Sequence, residues 1–454
     1  MNLSEYISSI KDKKIAVVGL GVSNTPLIER LLDGGCKVRV CDKSSRDALS
    51  DAAKKVEELG AELTLGEDYL KNLDADIIFR TPGMRPDVPE FVQAQNNGSV
   101  ITSEMEIFFK LCPCKIIAVT GSDGKTTTTT IISKLLQAAG YTVHLGGNIG
   151  TPLLCSVDTM NPDDIAVLEL SSFQLMTIQQ SPEIAVVTNL APNHLDVHKD
   201  MDEYIDAKKN IFAHQKQDNR LVLNYDNDIT RSFENELTDQ ELFWFSRKRK
   251  VQGVYLDNDA IYFNGEKIMD TKDILLPGVH NIENYMAAFA AVHGLVSPEI
   301  CRKVAMEFKG VEHRIELVRQ LDGVSYYNDS IASSPSRTIA GLRSFNQKVI
   351  LIAGGKDKGV PFDILGGEII SHVKTLVVTG FTAEKIRDAV LNAPEYDGSP
   401  KIIYEDDFKD AVIAASKAAK PGDIVILSPA CTSFDHFKNF AQRGEYFKEI
   451  VRSL

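Results

Sequence analysis

At 454 residues the chain exceeds what one hydrophobic core usually organises, so two or three domains are expected, and 43% hydrophobic with 25% charged residues lets each bury a core, with no disordered stretch. The net charge of −13 excludes a general nucleic-acid binder, because phosphate-backbone affinity needs a basic face and the one short basic run, Arg247 to Lys250, reads as a solvated loop. No window approaches the roughly 18 unbroken apolar residues of a membrane span. Residues 1–14 lack the apolar core of a signal peptide, so an unexported, cytoplasmic protein without membrane insertion is expected. The seven cysteines, Cys36, Cys41, Cys112, Cys114, Cys155, Cys301 and Cys431, are scattered and suit reduced thiols better than a disulfide framework. Cys112-Pro-Cys114 is the only close pair, with no partner cluster at zinc spacing.

Along the chain, 14–18 is a short apolar run that enters Gly19-x-Gly21 and a helical pattern over 24–32, closed by Gly34-Gly35. A strand over 37–41 ends at Asp42, another precedes the Pro82-Gly83 turn, and a helix over 104–111 closes a first domain at 1–111. Residues 115–119 restart the pattern as a buried strand, glycine turn and helix stopped by Gly140. The branched apolar runs at 165–170 and 184–187 read as parallel strands covered on both faces. Residues 242–267, with Asn264-Gly265 as a hairpin turn, read as antiparallel strands inserted in this second domain, 112–310. A third restart, 311–454, has strands near 324–327, 349–352, 375–378 and 424–427, with helices such as 407–419 between them. The predicted class is α/β, with three domains, each a mostly parallel sheet covered by helices: Rossmann-like at both ends and P-loop-like in the centre.

Between the strand at 115–119 and its helix lies Thr120-Gly121-Ser122-Asp123-Gly124-Lys125-Thr126-Thr127. Glycines let main-chain amides converge on phosphate oxygens, and the helix N-terminus and Lys125 add positive field. Thr126 would place a hydroxyl on Mg²⁺. The spacing is shorter than in the usual Walker A loop, with two residues between Gly121 and Gly124 instead of four. At this loop the sequence resembles the Mur ligase superfamily, which includes folylpolyglutamate synthases and whose loop reads Thr-Gly-(Ser/Thr)-Asn-Gly-Lys-(Ser/Thr). Asp123 stands where the family has Asn and brings an extra negative charge near the phosphates.

Leu168-Glu169-Leu170-Ser171-Ser172-Phe173-Gln174 puts a carboxylate at the C-terminal end of a strand, the edge where α/β sheets collect ligands, and residues 188–196 bring His194 to the same edge. From the residues alone a metal ligand is favoured for Glu169 over a cap of the next helix, while a lone histidine is usually core or surface. The Glu-Leu-Ser-Ser-Phe-Gln run is similar to that of the family's D-glutamate-adding branch. The resemblance implies that Glu169 and His194 hold two Mg²⁺ ions, with Asn148 and His194 near the substrate. Lys208, in Ala207-Lys208-Lys209, aligns with the family's carbamylated, metal-bridging lysine; without the resemblance it is an unremarkable surface lysine.

Gly278-Val279-His280-Asn281-Ile282-Glu283-Asn284 matches the superfamily's Gly-x-His-Asn-x-x-Asn segment, which implies that Asn281 faces ATP; on the residues alone its asparagines are ordinary helix-start residues. By the same resemblance Arg314 of Glu312-His313-Arg314 reaches the ATP phosphates and Asp329 the ribose. Ser428-Pro429-Ala430-Cys431-Thr432-Ser433, continuing through Phe440 to Arg443-Gly444, resembles the D-glutamate-adding branch closely, which implies a D-glutamate pocket made by Ser333, Lys358, Ser433 and Phe440. Ile331 occupies a position often lysine in the family. In the first domain Asn24 replaces the last glycine of a dinucleotide fingerprint, and taken alone this segment suggests NAD. The family instead uses the domain for UDP, and Val22, Ser23, Asp42, Lys43, Thr81 and Gly83 match its contact segments.

The resemblance implies an ATP-dependent acid–amino-acid ligase that joins D-glutamate to UDP-N-acetylmuramoyl-L-alanine in peptidoglycan precursor synthesis, acting as a monomer. Because a carboxylate is a poor electrophile, such a reaction needs an acyl phosphate and then a tetrahedral intermediate, with Lys125 and Mg²⁺ opposing the charge that accumulates. A folylpolyglutamate synthase or another muramyl ligase, an NAD-binding oxidoreductase and a nucleotide-binding regulator without turnover remain as alternatives.

Overall fold

The computed structural model describes residues 1–192, 197–237, 240–357 and 359–454 and contains three sheets. The first is β1 (Ile15–Val18), β2 (Val38–Asp42), β3 (Glu62–Leu65), β4 (Ile77–Arg80) and β5 (Val100–Thr102), in the order β3-β2-β1-β4-β5. All four neighbouring pairs are parallel. Along β1, Ile15 and Val17 join one hydrophobic cluster while Ala16 and Val18 join another, which is why the run is apolar without alternation: both of its faces are covered.

The second sheet holds β6 (Lys115–Thr120), β7 (Val143–Gly147), β8 (Ile165–Glu169), β9 (Ile184–Val187), β10 (Arg220–Asn224), β11 (Glu241–Ser246), β12 (Gly253–Asp257), β13 (Ala260–Phe263) and β14 (Glu266–Asp270). Its order is β14-β13-β12-β11-β10-β9-β6-β8-β7. The expectation of antiparallel strands inserted at 242–267 is corrected here. β11 runs parallel to both β10 and β12, and only β12-β13-β14 are antiparallel, extending the edge of the same sheet. Apolar content reports a buried strand but not its direction; direction follows from the connection, and a helix, Asp228–Ser232, lies between β10 and β11. Asn264-Gly265 does form the turn between β13 and β14, with φ of 46° and 99°.

The third sheet is β15 (Glu316–Leu321), β16 (Val324–Asn328), β17 (Val349–Gly354), β18 (Val373–Thr379), β19 (Lys401–Tyr404) and β20 (Ile424–Leu427), ordered β15-β16-β20-β17-β18-β19. β15, which the sequence reading lacks, pairs antiparallel with β16; its half-buried mixture of Arg319, Gln320 and apolar residues gives little strand signal.

Two compact units divide the chain, Met1–Thr271 with Glu283–Val304 and Lys272–Ile282 with Ala305–Leu454. The first contains the five-stranded and the nine-stranded sheets, and one continuous core, from Leu3 through Phe108 and Leu154 to Trp244, serves both sheets. No helix among the described residues is long and apolar enough to cross a membrane. Arg247 and Lys250 of the short basic run are paired with Glu283 and Asp257.

Asn24 is buried, and its Nδ2 donates to the carbonyls of Val18 and Gly19, both at 3.1 Å. Its side chain fills the space where a dinucleotide fingerprint requires a bare glycine so that helix and strand can close. Asn24→Ala should lower stability by about 1–3 kcal/mol through the loss of these two buried bonds, read as a shift of the urea midpoint.

Candidate active site

The phosphate loop follows β6, and its two glycines have no substitute. A Cβ on Gly121, at φ +148°, would lie 1.9 Å from Thr188 Oγ1, and one on Gly124, at φ +78°, would lie 2.4 Å from Asn284 Oδ1. The loop is fastened to the end of β9: Ser122 N donates to Asn189 O at 2.8 Å, Asp123 N to Asn189 Oδ1 at 2.9 Å, and Thr188 Oγ1 to Asp123 O at 2.6 Å. Asp123, in the family's asparagine position, is exposed, so its charge is solvated. The following helix, Lys125–Ala138, starts at Gly124 with no side-chain cap, which leaves its first amides to an outside acceptor. Lys125 Nζ lies over the loop, donating to Gly121 O at 3.0 Å and Ser122 O at 2.9 Å. Thr126 is half-buried and Thr127 buried in the first turn. The threonine run owes its order to back-bonding, since Thr129 and Thr130 donate to the carbonyls of Lys125 and Thr126.

Glu169, at the end of β8, is buried; Oε1 accepts from Asn148 Nδ2 at 2.7 Å, and Oε2 has no hydrogen-bond partner among the described residues. It does not cap the next helix, where Ser171 and Gln174 form the capping box themselves. A buried carboxylate oxygen without a partner is costly unless a cation satisfies it, so the donor set suits a hard divalent ion. Lys208 is the larger surprise. It is not a surface residue: on the helix Met201–Lys209 it is 2% exposed, and Nζ donates to Gly121 O at 2.9 Å and Thr120 Oγ1 at 3.1 Å while standing 4.9 Å from the centre of the Tyr204 ring. Burial, reinforced by the charge of Lys125, drives its pKa well below the ordinary lysine value. The structure therefore brings Lys125, Thr126, Glu169, Lys208 and Asn148 to one sheet edge. His194 lies outside the described residues.

Two residues to which the sequence assigned no site role complete this edge. Asn284, buried, accepts from Thr128 Oγ1 at 3.3 Å and abuts Gly124, whereas Asn281 Nδ2 donates to Pro277 O at 2.6 Å. Tyr204 shares a 2.9 Å hydrogen bond with Ser122 Oγ. The Gly-x-His-Asn-x-x-Asn segment contained the signal for Asn284; nothing local signalled Tyr204.

On the first sheet, Gly19 and Thr81 face each other across the point where the strand order reverses, and a Cβ on Gly19 would lie 2.9 Å from Thr81 Cβ. Asp42 is occupied with the loops, accepting from Leu20 N at 2.7 Å and Ser44 N at 2.8 Å. Val22, Lys43 and Gly83 are exposed and Ser23 is half-buried, around the same crevice.

In the second unit, the ends of β16, β17 and β20 converge on Arg443, another residue the sequence reading assigned no role. Its buried guanidinium donates to Cys431 O, Thr432 O, Ser330 O and Ser330 Oγ, and burial lowers its pKa to about 10. Ser433 is buried, Ser333 and Ile331 half-buried, and Phe440 39% exposed, with its carbonyl accepting from Ser330 Oγ. Lys358 lies outside the described residues. Arg314 is half-buried near Asp329. Asp329 is itself buried, with Oδ2 accepting from Ser428 Oγ at 2.7 Å and Oδ1 from Ile315 N at 3.3 Å. The one His/Cys/Asp/Glu cluster of metal-ligand dimensions among the described residues is Glu312, His313 and Glu445, and the Lys448 ammonium already sits 2.7 Å and 2.6 Å from its two carboxylates.

Two family models match the chain, the Mur ligase middle domain over residues 119–292 and the Mur ligase glutamate ligase domain over residues 313–431. The chain belongs to the Mur ligase family. It is 52% identical to the UDP-N-acetylmuramoylalanine--D-glutamate ligase of Ruminiclostridium cellulolyticum, over 100% of this chain and 99% of that protein. The identity is also 52% to the protein of the same name from Clostridium novyi, over 99% of each. Among solved structures, the UDP-N-acetylmuramate-alanine ligase of Thermotoga maritima superposes with a TM-score of 0.59 at 19% identity, covering 97% of this chain and 99% of that one, a likeness of fold.

Gly124→Ala should weaken ATP binding about tenfold or more through backbone strain and the clash at Asn284, whereas Gly140→Ala, equally strained at φ +95° but beyond the far end of the helix, should cost stability without weakening ATP binding; nucleotide-dependent rises in melting temperature distinguish them. Burial raises the Asp329 carboxyl from 3.8 to about 7. Between those values the native state binds more protons than the unfolded state, so this stability is full at low pH and is lost as pH rises through the folded value. Asp329→Asn cannot titrate. Its melting temperature relative to the wild type should therefore shift in the variant's favour between about pH 5 and about pH 8.

Proposed function

We propose that this chain joins D-glutamate to the alanyl carboxylate of UDP-N-acetylmuramoyl-L-alanine with hydrolysis of ATP to ADP and phosphate, a step of peptidoglycan precursor synthesis. The geometric observation that carries an ATP-driven ligase is the convergence, at one sheet edge, of a helix start with Lys125 over it and a buried Glu169 oxygen, the helix start without a side-chain cap and the oxygen without a partner among the described residues. The full-length identity to proteins named for this reaction supports the choice of substrates.

In this reading the loop from Gly121 to Thr127 receives the ATP phosphates on the amides at the helix start, those of Ser122 and Asp123 being bonded to Asn189, and Lys125 exchanges its bonds to Gly121 and Ser122 for the γ-phosphoryl oxygens. The alanyl carboxylate oxygen attacks the γ-phosphorus and releases ADP. The neutral amine of D-glutamate then attacks the acyl carbon of the acyl phosphate, and the tetrahedral intermediate expels phosphate as the amine loses its proton. Lys208, whose burial favours the uncharged amine over the ammonium, can in that uncharged form add CO₂ and lose a proton to become a carbamate, an anionic ligand. Glu169, His194, Thr126 and the Lys208 carbamate would hold two Mg²⁺ ions, which when bound offset the negative charge on the phosphoryl oxygens.

Asn281, Arg314 and Asp329 are assigned to ATP. Val22, Ser23, Asp42, Lys43, Thr81, Gly83, Asn148 and His194 are assigned to the UDP-linked substrate, and Ser333, Lys358, Ser433 and Phe440 to D-glutamate. The domains 1–111, 112–310 and 311–454 then serve the UDP substrate, ATP and the amino acid in turn, in a cytoplasmic monomer. The dinucleotide reading of the first sheet is dropped because the Asn24 side chain occupies the required glycine position.

Purified protein given ATP, Mg²⁺ and UDP-N-acetylmuramoyl-L-alanine should release phosphate only when D-glutamate is added, and folate acceptors should give none. D-glutamate-independent release would overturn the assignment. Lys125→Ala should lower kcat about 10²–10³-fold, as expected for loss of a preorganised charge at the transferring phosphoryl group.

A further inference from the structure

The loop that follows β4 carries Thr81 and Gly83 and ends in a charge cluster that the reaction scheme leaves unused. Arg85 grips Glu203 with two parallel bonds, at 2.8 and 2.7 Å, and Asp87 with two more, at 2.7 and 2.8 Å, while a fifth bond reaches the carbonyl of Val197 at 2.8 Å. Glu203 lies in the first turn of the Met201–Lys209 helix, one residue before Tyr204 and five before Lys208. From Glu203 the contacts continue inward. His198 Nδ1 stands 3.4 Å from Glu203, and its Nε2 shares a 2.9 Å bond with Ser172 Oγ; its ring stacks on Phe173 at 5.2 Å and meets the edge of Tyr204 at 5.3 Å. Tyr204 in turn bonds Ser122 of the phosphate loop, and Lys208 bonds Gly121.

We propose that Arg85 and Glu203 are a positioning pair that ties the loop receiving the UDP-linked substrate to the helix bearing Tyr204 and Lys208, and so fixes those side chains against the phosphate loop. The pair rests on the ligase reading for its catalytic consequence, but its positional role stands on the geometry alone. A planar guanidinium binding a carboxylate through two bonds restricts angle as well as distance, which a lysine ammonium does not. Both side chains are partly exposed, so the pair adds little to the stability of the fold. The loop has a second, independent anchor: buried Arg80 donates to Pro82 O and Met84 O on one side and to Phe173 O and Thr177 Oγ1 on the other. Breaking the Arg85–Glu203 bond therefore frees the helix while leaving the substrate loop in place.

Arg85→Lys and Glu203→Gln separate these roles. The melting temperature should be unchanged and the KM for the UDP-linked substrate should stay within about twofold, whereas kcat should fall about tenfold, because small misplacements in such a site are costly. Hydrogen exchange of the amides at 201–209 in the full-length protein without substrates should be faster in both variants. Unchanged exchange overturns the proposal, as does kcat within about twofold of the wild type in an active enzyme. If the wild type shows no D-glutamate-dependent turnover, the ligase reading fails instead, and the exchange comparison still decides the positional role.

Discussion

Burial of the Lys208 amine against the main chain of the phosphate loop is the constraint around which the central sheet is arranged. An ammonium taken out of water must be compensated or lose its proton, and here the compensation is partial: one carbonyl, one hydroxyl and the face of a tyrosine. Lys125 is close enough to oppose its charge, and Glu169 close enough to favour it. The same small volume thus holds a lysine driven toward neutrality and a carboxylate oxygen with no donor among the described residues. Both costs would be relieved by a single event, the conversion of the amine to an anion that shares a divalent cation with Glu169. A site that is strained in isolation and relieved by its ligands is a common property of functional centres.

The scaffold tolerates this because the surrounding backbone has almost no freedom. Gly121 and Gly124 are pressed against Thr188 and Asn284, and Ser122 and Asp123 are bonded to Asn189. The first sheet supplies further rigidity through Arg80 and Arg85, whose guanidinium groups fasten the loop after β4 to segments that follow Glu169 and precede Lys208. One hydrophobic core beneath both sheets makes this fastening possible, since the segments are already held within reach. In the second unit Arg443 plays an analogous part, gathering the carbonyls of 330, 431 and 432 so that Ser433 and Phe440 are presented from a fixed frame.

Much was determined by the sequence alone. The buried strands, the turn at Asn264-Gly265, the phosphate loop between strand and helix, and Glu169 at a strand end follow from local pattern, because branched apolar runs and glycines act within a few residues. What only the tertiary structure decided is who is buried and who meets whom. Lys208 looks like any lysine on a polar helix until that helix is laid against a loop 87 residues earlier in the chain. Asn284 becomes a loop partner through a similar long-range approach, and Asn24 a backbone clamp through its burial. The direction of β11 depended on its connection, and β15 on its pairing with β16. Local composition sets which residues prefer to leave water; the partners that make their burial tolerable come from distant parts of the chain, and only the folded arrangement specifies them.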